Sequence, residues 1–136
     1  MKPWVHAKNS VRDFGGKPED YIEIHDFIDS SKAAVPDMRH RAALHSAFGI
    51  FIVEKVFANF QRNGEGRIVQ APWVKNSDGA VVQVRDIAEK HVLEDMGRIP
   101  TLEDYYKGMP IYEWLGGPKR TSRFIPMDAL NIPLAD

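Results

Sequence analysis

Five histidines, His6, His25, His40, His45 and His91, carry most of this chain's capacity for chemistry at neutral pH, and there is no cysteine. Metal ligation therefore falls to imidazole and carboxylate, donors that suit zinc, nickel, manganese or iron. Disulfides, thiolate metal sites and a cysteine nucleophile are excluded. His91 and Asp95 stand at i and i+4, a spacing that lets two side chains on one helix face share a ligand, with Glu94 as the alternate. A single buried imidazole is ordinarily satisfied by a carbonyl. Several aimed at one interior point each need a partner, and a shared cation satisfies them together. The expected centre is His25, His45, His91 and Asp95 around one divalent ion, with His6 or Asp37 behind those ligands and His40 a further ligand candidate.

The stretch PDMRHRAALHS, Pro36 to Ser46, sets costly polar groups at the start of a segment that then turns apolar. On one helix, Asp37, Arg41 and His45 form a single stripe at i, i+4 and i+8. His40 and His45, five residues apart, stand about 140° apart around the axis, so one ion reaches both only if the helix is bulged. Arg39 or Arg41 would hold an anionic group, and with Asp37 they are the catalytic candidates. The plainer alternative makes Asp37–Arg41 an ordinary helical ion pair and Asp95 a solvated residue near a helix end.

The elements that must position these groups read as mainly helical. Pro3 can occupy a first helical turn, and Trp4, Ala7, Val11 and Phe14 recur at helical spacing before Gly15-Gly16, with His6 and Ser10 flanking that stripe. Pro18 starts a second helix, PEDYIEIHDFIDSSK, whose inner face carries Tyr21, Ile24, His25 and Ile28. Pro36 marks a third, running to about Phe60, apolar on every side and therefore expected to be packed all round. RIVQAPWV and AVVQVR flank KNSDG, whose Asp-Gly predicts a hairpin within about 67–85. RDIAEKHVLEDMG is a fourth helix stopped by Gly97, with His91 pointing inward, and IPTLEDYYKG a short one capped by Thr101. The fold class is thus a compact bundle of four to five helices over residues 1–116, with one small β-hairpin insertion and an extended tail over 117–136. That tail carries Phe124, Ile125, Leu130, Ile132 and Leu134, and is expected to cover them against the body or in a homodimer.

With 136 residues, 43% hydrophobic and 27% charged, the chain suits one globular core. Eighteen basic against nineteen acidic residues give a net charge of −1, which offers no field to gather nucleic acid or anionic lipid. No apolar run approaches the roughly 18 residues of a membrane span, and the first residues are too polar for a signal peptide, so a soluble, cytoplasmic protein is expected. NGEG lacks the Lys-Ser/Thr of a phosphate loop and reads as a surface turn, and PKRTSR as a solvated basic loop.

The order His6, His25-Asp26, His40, His45, Asp95 resembles that of the helical phosphohydrolases of the HD type, which carry a His, a His-Asp pair and a later Asp on separate helices. That resemblance implies a metal that activates water against a phosphoester. A broader one runs from about His6 to Tyr106. HAKNSVRDFGGKPEDYIEIHDFIDSSK, DMRHRAALHS, NSDGAVVQVRDI and AEKHVLEDMGRIPTLEDY resemble a family of small uncharacterised phage and bacterial proteins with GGxxxDY, IH, DxRHRAxxH and HVxEDxGRIP blocks in this order. His25, Asp37, Arg39, His40, Arg41, His45, His91, Glu94 and Asp95 fall at its matching positions, whereas QRNGEGRIVQAPWVK and the tail beyond Gly116 depart from it. It implies common descent without an activity.

Two functions follow as expectations. One is a metal-dependent hydrolase of a small phosphorylated or nucleotide substrate, with a divalent ion and an open position for water. The other is a non-enzymatic phage accessory or anti-defence module, acting in host cytoplasm, whose polar core fixes helix register and whose tail and aromatic stretch meet a host protein.

Overall fold

The computed structural model describes residues 1–116. The expected tail over 117–136, with its packing or dimer contact, lies outside the described residues. Helices α1 (Pro3–Phe14), α2 (Ile22–Ile28), α3 (Arg41–Leu44), α4 (Ala47–Phe57), α5 (Val84–Met96) and α6 (Leu102–Tyr106) enclose one core. Among the described residues no helix is long and apolar enough to cross a membrane.

Pro3 sits in the first turn of α1 and Gly15, at φ 83°, ends it by returning its N–H to the Val11 carbonyl. The buried face of α1 is His6, Ala7 and Ser10, while Trp4 is 45% exposed. The apolar stripe therefore lies rotated from its sequence reading, because His6 and Ser10 find polar partners inside. Helix α5 buries Val84, Ile87, Ala88, His91 and Val92, the spacing of one helical face, and Gly97 closes it in the left-handed conformation. Ile24 and Ile28 of α2, Ala7 of α1, Ile50 and Val53 of α4 and the apolar residues of α5 form the core, with Tyr21 and Val82.

Two expected helices are divided. The segment PEDYIEIHDFIDSSK forms a 3-10 turn (Pro18–Asp20), α2, and a second 3-10 turn (Ser30–Ala33). The single third helix expected from Pro36 to about Phe60 is corrected more deeply. It is a 3-10 turn (Met38–His40), then α3, then a corner at His45 and Ser46, then α4. Local sequence does not hold that corner. Ser46 Oγ caps α4 by accepting from the Gly49 N–H at 3.0 Å, the Ala47 N–H donates to the Pro100 carbonyl at 2.9 Å, and Tyr105 Oη donates to the His45 carbonyl at 2.8 Å. Gly49 lies inside α4, where a Cβ would fall on the Leu44 carbonyl, so its role is close approach across the corner.

Helix α4 is also not surrounded. Gly49, Ile50 and Val53 are buried, but Phe48 is 50%, Phe51 45% and Val56 53% exposed. The expected Asp-Gly hairpin is present: β3 (Trp73–Lys75) pairs antiparallel with β4 (Val81–Gln83), Val74 opposite Val82. A second hairpin precedes it, β1 (Asn59–Arg62) paired with β2 (Ile68–Ala71): β1 lies in residues read as the end of helix three and a surface turn, and β2 in RIVQAPWV, read as one strand of the Asp-Gly hairpin. Strand β1 is exposed throughout, so no alternation of apolar residues announces it. The Thr101 cap is observed, its hydroxyl and the Asp104 carboxylate bonding reciprocally to each other's backbone N–H.

Candidate metal centre

All five histidines converge. His6, His25, His45 and His91 are fully buried and His40 is 2% exposed, supplied by α1, α2, the α3–α4 corner, α5 and the 3-10 turn before α3. The rings are in contact: His6 stacks on His91 with centroids 3.7 Å apart, and His40 and His45 meet edge-on at 5.7 Å. Buried polar groups ordinarily separate into partnered pairs. Here they share two carboxylates, Asp29 and Asp95.

Asp95, on the same face of α5 as His91, lies at the middle. Its Oδ1 is 3.1 Å from His6 Nε2 and 3.9 Å from Arg41 Nη2, and its Oδ2 is 2.9 Å from His45 Nε2 and 3.2 Å from His91 Nε2. Asp29, the residue that ends α2, sets Oδ1 3.3 Å from His91 Nε2, 3.5 Å from His45 Nε2 and 3.8 Å from His40 Nε2. One ligand atom from each of Asp29, His45, His91 and Asp95 lies within 4.8 Å of the others. The edges of 2.9, 3.2, 3.3 and 3.5 Å bracket the ligand–ligand spacing about an ion with arms of about 2.0–2.1 Å.

The tautomers of the inner rings follow from the outermost bonds. Ser10 Oγ donates to the His6 carbonyl at 3.1 Å, so at 2.8 Å it accepts from His25 Nε2. Neutral His25 then has a bare Nδ1, which accepts at 2.8 Å from His91 Nδ1. That leaves His91 Nε2 without a hydrogen in the neutral ring, its lone pair facing Asp29 and Asp95. A nitrogen lone pair against two carboxylates is repulsive, so the position calls for a proton or a cation.

The electrostatics agree. Burial, reinforced by the neighbouring His91 and His6 rings, pushes His25 down to about 3, which keeps it the neutral acceptor required. Burial also lowers His45 against the pull of Asp95. For His91, burial is outweighed by the bonds to Asp29 and Asp95, and the ring's proton affinity is raised. Asp95, despite burial, lies far below the usual carboxylate range because His45, His6 and His91 bond to it, and His91 and His45 lower Asp29 in the same way.

The sequence-derived residues divide by position. His45, His91 and Asp95 face one point. His25 stands one ring behind His91, and His6 bridges Glu94, at 2.7 Å, and Asp95. His40 turns its Nδ1 to the Asp37 carbonyl at 2.8 Å and its Nε2 toward Asp29. Arg41 lies at the rim, its side chain 20% exposed. Arg39 and the Asp37 carboxylate stand apart on the surface, paired with each other at 2.7 Å, with Arg39 84% exposed. Asp37 therefore caps the turn and does not pair with Arg41 as a continuous helix would have required. Asp29 escaped the sequence reading, although it stands four residues after His25 as Asp95 stands after His91, the same spacing in HDFID and HVLED.

Four buried side-chain atoms in this region have no hydrogen-bond partner: Asp29 Oδ2, His40 Nε2, Arg41 Nε and His45 Nδ1. The cluster is thus a buried His/Asp group that could hold a metal ion.

Residues 1–115 match the model of a family described as Domain of unknown function (DUF6915), and the chain belongs to that family. No curated protein and no solved structure matches the chain.

Proposed function

We propose that this domain binds one divalent transition-metal ion through Asp29 Oδ1, His45 Nε2, His91 Nε2 and Asp95 Oδ2, and uses it to hydrolyse a small phosphorylated or nucleotide substrate. The observation that carries the metal is the position of His91 Nε2, which the Ser10–His25–His91 series leaves without a hydrogen in the neutral ring and which two carboxylates face. A proton there serves one hydrogen bond at a time, whereas a cation serves two imidazoles and two carboxylates together. His6 and Glu94 orient Asp95, and His25 and Ser10 orient His91. The ion would supply Lewis acidity toward a phosphoryl oxygen or a water. Arg41, at the rim with its side chain 20% exposed and a buried Nε lacking a partner, would be the cation that holds an anionic group. Arg39, engaged with Asp37 on the surface, is not.

A second reading has its own support. Phe48, Phe51 and Val56 of α4 lie exposed on one helix, which suits a protein-binding module in which the ion is structural, including the phage accessory role. Elemental analysis of tag-free protein, with melting before and after chelation, tests the metal. One ion per chain, lost together with several degrees of melting temperature, is expected. Absence of metal after reconstitution with zinc, nickel, manganese and iron, with an unchanged melt, would overturn both metal readings. Turnover of phosphomonoesters or nucleotides that chelator abolishes, and that Arg41→Ala weakens through KM, separates the hydrolase from the binder.

A further inference from the structure

The two hairpins are placed differently. β3–β4 puts Val82 into the core, whereas β1–β2 packs mainly on itself and stands out from the body as an arm, tied at its base by Gln70, which donates to the Lys55 carbonyl at 3.1 Å. A two-stranded ribbon with nothing packed on it is marginal in water. The register sets Phe60 opposite Gln70 and Arg62 opposite Ile68, so Phe60 and Ile68 share one face of the arm, 73% and 64% exposed. Next in the chain, α4 turns out Phe48, Phe51, Lys55 and Val56, one stripe at helical spacing, with Lys55 Nζ 5.3 Å from the centre of the Phe51 ring. Neither surface includes a residue of the histidine cluster.

We propose that these two surfaces are the halves of one interface between two copies of this chain, the arm of each copy lying along α4 of the other about a two-fold axis. The lengths match. Four residues of strand extend about 13 Å, and the stripe from Phe48 to Val56 about 12 Å. The area is that of a dimer. At about 200 Å² for a whole phenylalanine, Phe48, Phe51 and Phe60, with Val56 and Ile68, leave on the order of 500 Å² of apolar side chain uncovered, at the upper end for a monomer. Closing it on both copies removes about 1,000 Å² from water, roughly the apolar share of a standard interface of about 1,600 Å². The charges are complementary as well. The arm carries Glu65 and Arg67, and α4 carries Glu54 and Lys55, none of them in an ion pair among the described residues, while Arg62 is turned back to the Gly66 carbonyl at 2.7 Å. A two-fold pairing gives each arm charge its opposite on the partner's helix, and does so twice.

Sedimentation of the full chain over a range of concentrations is expected to show a monomer–dimer equilibrium. Phe51→Asp on the helix and Phe60→Asp on the arm are each expected to keep the circular dichroism, since both side chains are exposed, and to raise the dimer dissociation constant at least about a hundredfold. Mixing the two variants is the sharper experiment. Either variant alone meets a damaged surface at both contacts, whereas a mixed pair keeps one intact arm on one intact helix, so an equimolar mixture is expected to recover dimer that neither variant forms by itself. A full chain that stays monomeric up to its solubility limit overturns the proposal, whatever the variants do, and leaves α4 open to a different protein. A dimer untouched by both substitutions, or a mixture with no more dimer than its components, overturns it as well, by placing the contact elsewhere or pairing helix with helix and arm with arm.

Discussion

Two polar clusters lie at opposite ends of α1, one built on buried Asn76 and Tyr21 with an exposed rim and one almost wholly buried, and they differ in completeness. At the Gly15-Gly16 end, Asn76 donates to the Phe14 carbonyl and to Tyr21 Oη and accepts from the Asp78 and Ala80 N–H groups. Tyr21 donates to the Gly15 carbonyl, Asp78 accepts from Gly16, and Asp20 accepts from Lys17 and Ser77. None of the four partnerless buried atoms belongs to this knot, which pins the β3–β4 turn to the end of α1. All four belong to the histidine end. A polar cluster that serves only the fold closes on itself, as the asparagine knot does; one that leaves ring nitrogens and a carboxylate oxygen open is shaped for a further component.

The contrast can be broken by mutation, and the largest effect belongs to Asp95. Asp95→Ala leaves His6, His45 and His91 without their shared acceptor, so denaturant unfolding of the chelated protein should show a loss of about 3–5 kcal/mol, and metal titration no binding. Asn76→Ala should destabilise by about 2–3 kcal/mol through its stranded neighbours yet leave metal stoichiometry unchanged. A shared loss of metal would erase the distinction between the two ends.

Acid comes next. His25 and His45 have lowered proton affinities, so the unfolded chain gains protons on both as pH falls through about 6.5 while the folded chain does not. His91 runs the other way, its contribution being present below 6.5 and lost as pH rises through its raised folded value. Below 6.5 the His91 contribution is already complete, so His25 and His45 set the slope, and the metal-free protein should lose about 1 kcal/mol or more per pH unit there in pH-dependent urea unfolding. The lowered Asp29 and Asp95 add stability that is present above 3.8 and disappears in stronger acid. Stability that instead rises as pH falls below about 6.5 would contradict the lowered His25 and His45. The smallest change is Arg39→Ala, expected to move stability by less than about 0.5 kcal/mol and metal affinity not at all, since its partner Asp37 is at the surface.

The sequence made some of this legible and hid the rest for physical reasons. Helical spacing put His25 and His91 on inner faces, because one face of a helix repeats with the turn. The Asp-Gly turn and the Thr101 cap could be read because their chemistry is local. The corner at His45 could not, since the apolar pattern runs straight through it and its supports, Pro100 and Tyr105, lie over fifty residues away. An unbroken helix made His40 and His45 alternatives; the corner makes them neighbours. Asp29 went unread, although its spacing from His25 repeats that of Asp95 from His91. The apolar α4 sequence was compatible with burial on every side, and only the fold shows which face is left open.

The central claim is that His91 presents a bare Nε2, shared with His45, Asp29 and Asp95, to a cation. Side-chain nitrogen NMR of the five histidines, recorded on tag-free, chelated protein before and after one equivalent of zinc, addresses it directly. The account predicts that the Nε2 signals of His91 and His45 move to metal-bound positions while His25 keeps its hydrogen on Nε2, toward Ser10. Five rings with unchanged signals, or His25 changing tautomer while His91 stays protonated on both nitrogens, would contradict it.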